Sequence, residues 1–219
     1  MTRPPGRVLA AATAALAALP AALLVACGGP GDGGSAHTPA RPAASSSAGR
    51  PAGQTDQAGR PARPLPRSVP VELRIPAIGV DTPVMRLGLA PDGTVQVPPV
   101  TAHDQAGWYG HSPTPGQVGP SVVLGHVTVG RYGDGVFRRL SRLHRGDRIE
   151  ARLGNGTTAV FTVGSVRTVA KAHFPTREVY GDVNRPELRL ITCGGPRTAN
   201  GYEDNVIVFA TLSAGTPPG

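Results

Sequence analysis

Two segments of this 219-residue chain end in side chains able to do chemistry. Val122-Val123-Leu124-Gly125-His126-Val127 is an apolar, strand-type run that reaches an imidazole. Leu188-Arg189-Leu190-Ile191-Thr192-Cys193-Gly194-Gly195 is a second such run, and it reaches a thiol. A cysteine attacks as its thiolate, and from an ordinary pKa of about 8.5 it needs a base or a positive neighbour to do so at neutral pH. An imidazole supplies that help. Taken singly, neither residue is decisive, since a strand cysteine is often a small hydrophobe and a strand-end histidine is often structural. The only other cysteine, Cys27, closes an apolar N-terminal run, so Cys193 is the single thiol of the folded part. An intermolecular disulfide, an inert buried thiol and a nucleophile all remain open at this point.

A rigid scaffold must hold both side chains, and strand ends do this without loop slack. Short apolar or alternating runs recur at 71–75, 82–87, 95–98, 121–126, 148–153, 159–169, 188–192 and 205–212. Asp92-Gly93 and Asn155-Gly156 lie between such runs, as hairpin turns require. Ala159-Val160-Phe161-Thr162-Val163 and Val206-Ile207-Val208-Phe209-Ala210 are rich in β-branched and aromatic residues. About eight strands with close turns predict a mainly β protein, a closed or nearly closed barrel. Helix is expected only over 135–143 and 176–180. Neither metal-ligand spacing nor a Gly-rich phosphate loop is present in the sequence, so neither metal nor cofactor is expected.

The motifs fall in an ordered set. After the run to Gly125-His126-Val127 come Val136-Phe137-Arg138-Arg139-Leu140, Leu143 and Gly146-Asp147-Arg148-Ile149. Phe174-Pro175-Thr176-Arg177-Glu178-Val179-Tyr180 and Leu190-Ile191-Thr192-Cys193-Gly194-Gly195 follow, and Leu73-Arg74-Ile75-Pro76-Ala77-Ile78-Gly79-Val80 precedes them. Over 69–212 this set resembles the sortases, most of all the actinobacterial class F group. The resemblance implies an eight-stranded barrel with one or two short helices. It implies cleavage of a Leu-Pro-any-Thr-Gly sorting signal through a thioacyl enzyme, with transfer to an amine of the cell envelope. Cys193 would be the nucleophile, and His126 the acid and then the base. Thr192 would line the groove, and His173 and Phe174 fall in the stretch matching the substrate-recognition loop. The family's arginine, usually in Tyr-Arg-Asp-Asn, is replaced here in Tyr202-Glu203-Asp204-Asn205. A carboxylate cannot donate to an oxyanion. Arg197 is the only arginine after Cys193 and is taken as the substitute, with Arg131, Arg189 or weak catalysis as alternatives. His103 and His111 flank Trp108-Tyr109, a segment expected to be turn-rich, and are expected to pack, and His144 to be solvated.

Arg3 and Arg7 precede nineteen uncharged residues, 8–26, broken only by Thr13 and Pro20. This pattern reads as a signal peptide or short anchor. Its end, Leu24-Val25-Ala26-Cys27, resembles a bacterial lipobox with Cys27 lipidated. A lipoprotein, an uncleaved anchor and plain secretion all export the domain, to the outer face of a Gram-positive cytoplasmic membrane on the family resemblance. Residues 28–67 hold few large apolar groups and are expected to be a disordered tether. The folded domain is expected over 68–214, with a flexible tail at 215–219. Of the net charge of +8, the first 67 residues carry +5. Basic charge concentrated in a tail suits a membrane or wall polymer and argues against nucleic acid as a partner. The protein is expected to act as a monomer. An L,D-transpeptidase is disfavoured, because its Ser-His-Gly-Cys-type motif differs from Ile191-Thr192-Cys193-Gly194-Gly195. A sortase-derived lipoprotein that only binds peptide is the alternative raised by Glu203.

Overall fold

The computed structural model describes residues 62–199 and 201–217. The expected signal or lipobox segment lies outside the described residues, as does most of the expected tether. The strands are β1 (Pro70–Ile75), β2 (Val80–Leu87), β3 (Ala106–Tyr109), β4 (Gly119–Leu124), β5 (Thr128–Val129), β6 (Gly133–Asp134), β7 (Arg148–Leu153) and β8 (Thr158–Ala170). A five-residue helix, α1 (Thr176–Tyr180), leads into β9 (Pro186–Thr198) and β10 (Gly201–Thr216). Eight strands close a barrel in the order β1-β2-β3-β4-β9-β10-β8-β7, and β5 pairs with β6 apart from it.

Period-two patterning builds this barrel. On β9, Leu188 and Leu190 join the interior with Phe161, Val206, Val208 and Trp108. Their neighbour Ile191 points outward, into a second cluster with Val122, Leu124, Ile207 and Val179 of α1. Both faces of β4 and β9 are therefore covered, and their near-continuous apolar sequences follow from that. The Asn155-Gly156 turn joins β7 to β8 as expected, with Gly156 at φ 84°.

Four expectations are corrected. The 135–143 stretch is not a helix but a series of turns around a short 3-10 segment at Leu140–Arg142. Its first N–H groups are taken by distant partners: Gly135 donates to the Val127 carbonyl, Val136 to His103 and Phe137 to His126, each at 2.9 Å. The 95–98 run forms only an isolated bridge between Val95 and Leu89. The Trp108-Tyr109 segment, expected to be turn-rich, is instead strand β3, parallel to β2. Finally, β9 does not stop at Cys193 but continues to Thr198, because β10 pairs with it out to Gly201.

Ordered packing also begins earlier than 68. Leu65 donates its N–H to the Gly116 carbonyl at 2.8 Å and packs against the barrel core with Ala62. Its side chain occupies the space where a Cβ on Gly116 or Gly215 would go.

Candidate active site

Strands β4 and β9 run parallel, from Gly119 opposite Pro186 to Leu124 opposite Ile191. The Gly125 N–H adds a last bond to the Ile191 carbonyl at 3.1 Å. Carried on past the last paired residues, Leu124 and Ile191, the same offset puts His126 opposite Cys193. Alternation puts both on the outer face, continuing the rows of Val122 and Leu124 and of Ile191. Beyond this point β9 keeps only β10 as a neighbour. Cys193 therefore stands where the sheet opens, as a half-buried free thiol.

The backbone of His126 is fixed by the Phe137 N–H on its carbonyl. Gly135 is required beside it, because a Cβ there would collide with that same carbonyl. The ring Nε2 lies 2.6 Å from the Pro98 carbonyl oxygen. A carbonyl only accepts, so Nε2 carries the hydrogen, and in the neutral ring Nδ1 keeps the lone pair. Pro98 belongs to the β2–β3 connection and precedes Pro99, whose φ of −56° and ψ of 146° are polyproline values.

Around Cys193 the β9–β10 ladder is irregular. Cys193 pairs with Asn205 and Gly194 with Asp204, but Arg197 pairs with Tyr202, so β9 carries one extra residue. Gly195 takes a φ of 71° there, as a glycine bulge requires. Alternation along β10 sets Glu203 on the side of Asn205 and Cys193. Tyr202 and its partner Arg197 share the other side. The exposed Arg197 guanidinium lies 5.9 Å from the Tyr202 ring centroid, and the Tyr202 hydroxyl is 2.7 Å from Thr128 Oγ1. Arg131 lies over Tyr132 at 5.3 Å. Arg189 is 3% exposed and committed elsewhere: it bonds Glu187 at 2.5 Å and the Glu178 carbonyl at 3.2 Å.

Thr192 alternates away from Cys193, and its buried Oγ1 has no hydrogen-bond partner. His173 is exposed, whereas Phe174 packs into the outer cluster, 6.1 Å from the Tyr180 ring. His103 stacks on Tyr132 at 5.7 Å, His111 contacts Tyr109 at 5.5 Å and His144 is exposed. On the same outer face, farther down β4, lies a cavity of about 440 Å³ walled by Leu89, Val95, Tyr109, Val122 and Tyr180. Burial, with the neighbouring Tyr109, pushes the Tyr180 phenol up from its ordinary value. Sequence reasoning missed Pro98 and Asn205. Only the Pro-Pro pair hinted at the first, and the second stood in Tyr202-Glu203-Asp204-Asn205 with no role given to it.

The family model for the Sortase domain matches residues 73–213, well over half of the chain. The chain belongs to the sortase family. This sortase is thus an enzyme of the cysteine transpeptidase type, a family that acts on sorting-signal peptides and amine nucleophiles. Its fold is similar to that of a lid mutant of sortase A from Corynebacterium diphtheriae, with a TM-score of 0.51 and 22% identity, covering 68% of this chain and 72% of that one. It is also similar to the sortase SrtA from Actinomyces oris, with a TM-score of 0.51 and 23% identity, covering 73% and 89%. Sortase C-1 from Actinomyces oris gives a TM-score of 0.50 at 21% identity, covering 64% and 72%. Among curated proteins nothing matches the chain.

Proposed function

We propose that this sortase is class F-like and cleaves a Leu-Pro-any-Thr-Gly sorting signal through a thioacyl intermediate on Cys193. The acyl group then passes to an amine of the cell envelope. The observation that carries this reading is the β4–β9 register, which runs the strands leading to His126 and to Cys193 side by side, on the face that farther down β4 holds a cavity lined by Tyr109, Val122, Tyr180, His111 and Asp182. His126 takes the thiol proton, gives it to the leaving amine, and later takes one from the incoming amine. The cavity and Phe174 receive the apolar residues of the signal, with His173 at its exposed rim and Thr192 in the groove floor beneath. Arg197 is the cationic donor in this reading, reaching the bound peptide from the hairpin arm beyond the bulge.

Cys193→Ala is expected to abolish cleavage of a fluorogenic sorting peptide while leaving the melting temperature nearly unchanged. Unaltered turnover in that variant would remove Cys193 from the reaction. Turnover that yields acid alone, even with excess amine, would make the protein a processing protease instead.

A further inference from the structure

We propose that the side-chain amide of Asn205 donates a hydrogen bond to the oxyanion formed when Cys193 attacks its substrate. The inference rests on the reading of Cys193 as a thioacylating nucleophile, and it adds a donor on the thiol's own side of the sheet.

Asn205 is the direct cross-strand partner of Cys193. Opposed residues of an antiparallel pair project to the same side, with Cβ atoms about 5 Å apart. A carbonyl carbon bonded to Sγ therefore brings its oxygen within reach of the Asn205 side chain. Asn205 is half-buried, and among the described residues its amide has no hydrogen-bond partner. An unpaired amide beside the nucleophile is free to turn its NH₂ toward a developing charge, and side-chain amides serve in such positions. Its backbone is held on both edges, by Cys193 of β9 and by Val169 of β8. The donor therefore stands on rigid sheet, as a preorganised site requires.

The neighbouring polar side chains are placed less well. Glu203 shares the side of Cys193 but is an acceptor only. Arg197 lies beyond the bulge and pairs with Tyr202 on the other side.

In the acylation step the Cys193 thiolate forms an S–C bond and the carbonyl π pair moves to oxygen, where Asn205 Nδ2–H meets it. As the oxyanion collapses, the C–N bond breaks and the nitrogen takes a proton from the His126 imidazolium. The products are a thioester, a free amine and a neutral imidazole.

The experiment compares the parent with Asn205→Ala, Asn205→Asp and Arg197→Ala in three single-turnover reactions at Cys193. These are acylation by a Leu-Pro-any-Thr-Gly peptide, acylation by p-nitrophenyl acetate, and alkylation by iodoacetamide. Alkylation displaces iodide at a saturated carbon and develops no oxyanion. Both Asn205 variants are expected to lose about 10²-fold or more in acylation; in Asn205→Ala the alkylation rate stays unchanged, and in Asn205→Asp, whose carboxylate also disfavours the thiolate, acylation falls further than alkylation. Acylation at the parental rate overturns the proposal, and so does an equal fall in acylation and alkylation, which marks a disturbed thiol instead. A loss confined to Arg197→Ala moves the donor to that arginine and also overturns it. If the parent alkylates but takes no sorting peptide, the substrate reading fails. The p-nitrophenyl acetate to iodoacetamide ratio then decides the role of Asn205 alone.

Discussion

Between Pro98 and His126, one 2.6 Å hydrogen bond fixes which ring nitrogen carries hydrogen. With Nε2–H engaged, Nδ1 is the ring nitrogen left to carry protons in the proposed reaction. The acceptor is well chosen for this. Pro99 confines Pro98, the residue before it, to extended conformations, and this holds the carbonyl in place. In ¹⁵N spectra of the His126 ring, the neutral side chain is therefore expected as the Nε2–H tautomer. Replacing both prolines with glycine is expected to mix the tautomers and slow acylation together. A resting ring that is Nδ1–H in the parent would refute this route. His126→Ala is expected to lower acylation at least about 10²-fold.

A five-residue helix cannot sustain itself in water, so α1 depends on what pins it to the barrel. Arg167 bonds Glu178 at 2.5 Å, Arg189 bonds the Glu178 carbonyl, and both guanidinium groups stack on Phe209, at 4.3 and 4.6 Å. Burial pushes the Glu187 carboxyl up, but bonds from Arg185 and Arg189 outweigh it and hold the group below its ordinary 4.5. The Glu178 carboxyl is also held low, chiefly by its bond from Arg167. A carboxyl depressed in the folded state contributes stability above its unfolded pKa, and this is lost as pH falls through the folded value. Urea unfolding of this sortase is thus expected to show a loss of stability as pH falls below 4.5. Glu187→Gln is expected to flatten that acid limb, and an unchanged limb would place the loss elsewhere. Arg189→Met strips the buried pair of one partner and is expected to cost about 3 kcal/mol. Since α1 carries Tyr180 of the cavity wall, peptide binding is expected to weaken with it.

For the molecule as a whole, the barrel and the N-terminal segment answer different needs. We propose that residues 1–27 export and anchor the enzyme at the outer face of a Gram-positive cytoplasmic membrane, as a lipoprotein through Cys27 or as an uncleaved anchor. The +5 charge of the first 67 residues suits the anionic surface there. Cells carrying the full chain are expected to hold it in the membrane fraction, accessible to protease from outside, and Cys27→Ser is expected to block lipid incorporation. Recovery from the cytoplasm would contradict every export route. Leu65, inside the stretch whose composition reads as tether, is seated against Gly116.

Sequence alone determined what depends on neighbours along the chain. The β-branched runs, the Asn155-Gly156 turn and the apolar approaches to His126 and Cys193 are local patterns, and they read as strands because alternation and turn chemistry act over a few residues. The ordered motifs resemble the sortases, and that resemblance implied the eight-stranded barrel. Tertiary structure decided what depends on partners far away. The 135–143 stretch has helical spacing, yet Arg138, Leu140, Arg142 and Leu143 donate to carbonyls three residues back, as turns and 3-10 segments do, and the N–H groups before them reach Val127, His103 and His126. Cys193 reads as a strand end, yet β10 prolongs β9 past it. Register is a choice among distant pairings: it set Asn205 opposite Cys193, carried His126 level with it, and turned Arg197 to the side of Tyr202 through one extra residue at Gly195. The Pro98 carbonyl reaches His126 only once the barrel has closed, since a backbone acceptor leaves no mark on the sequence that encodes it.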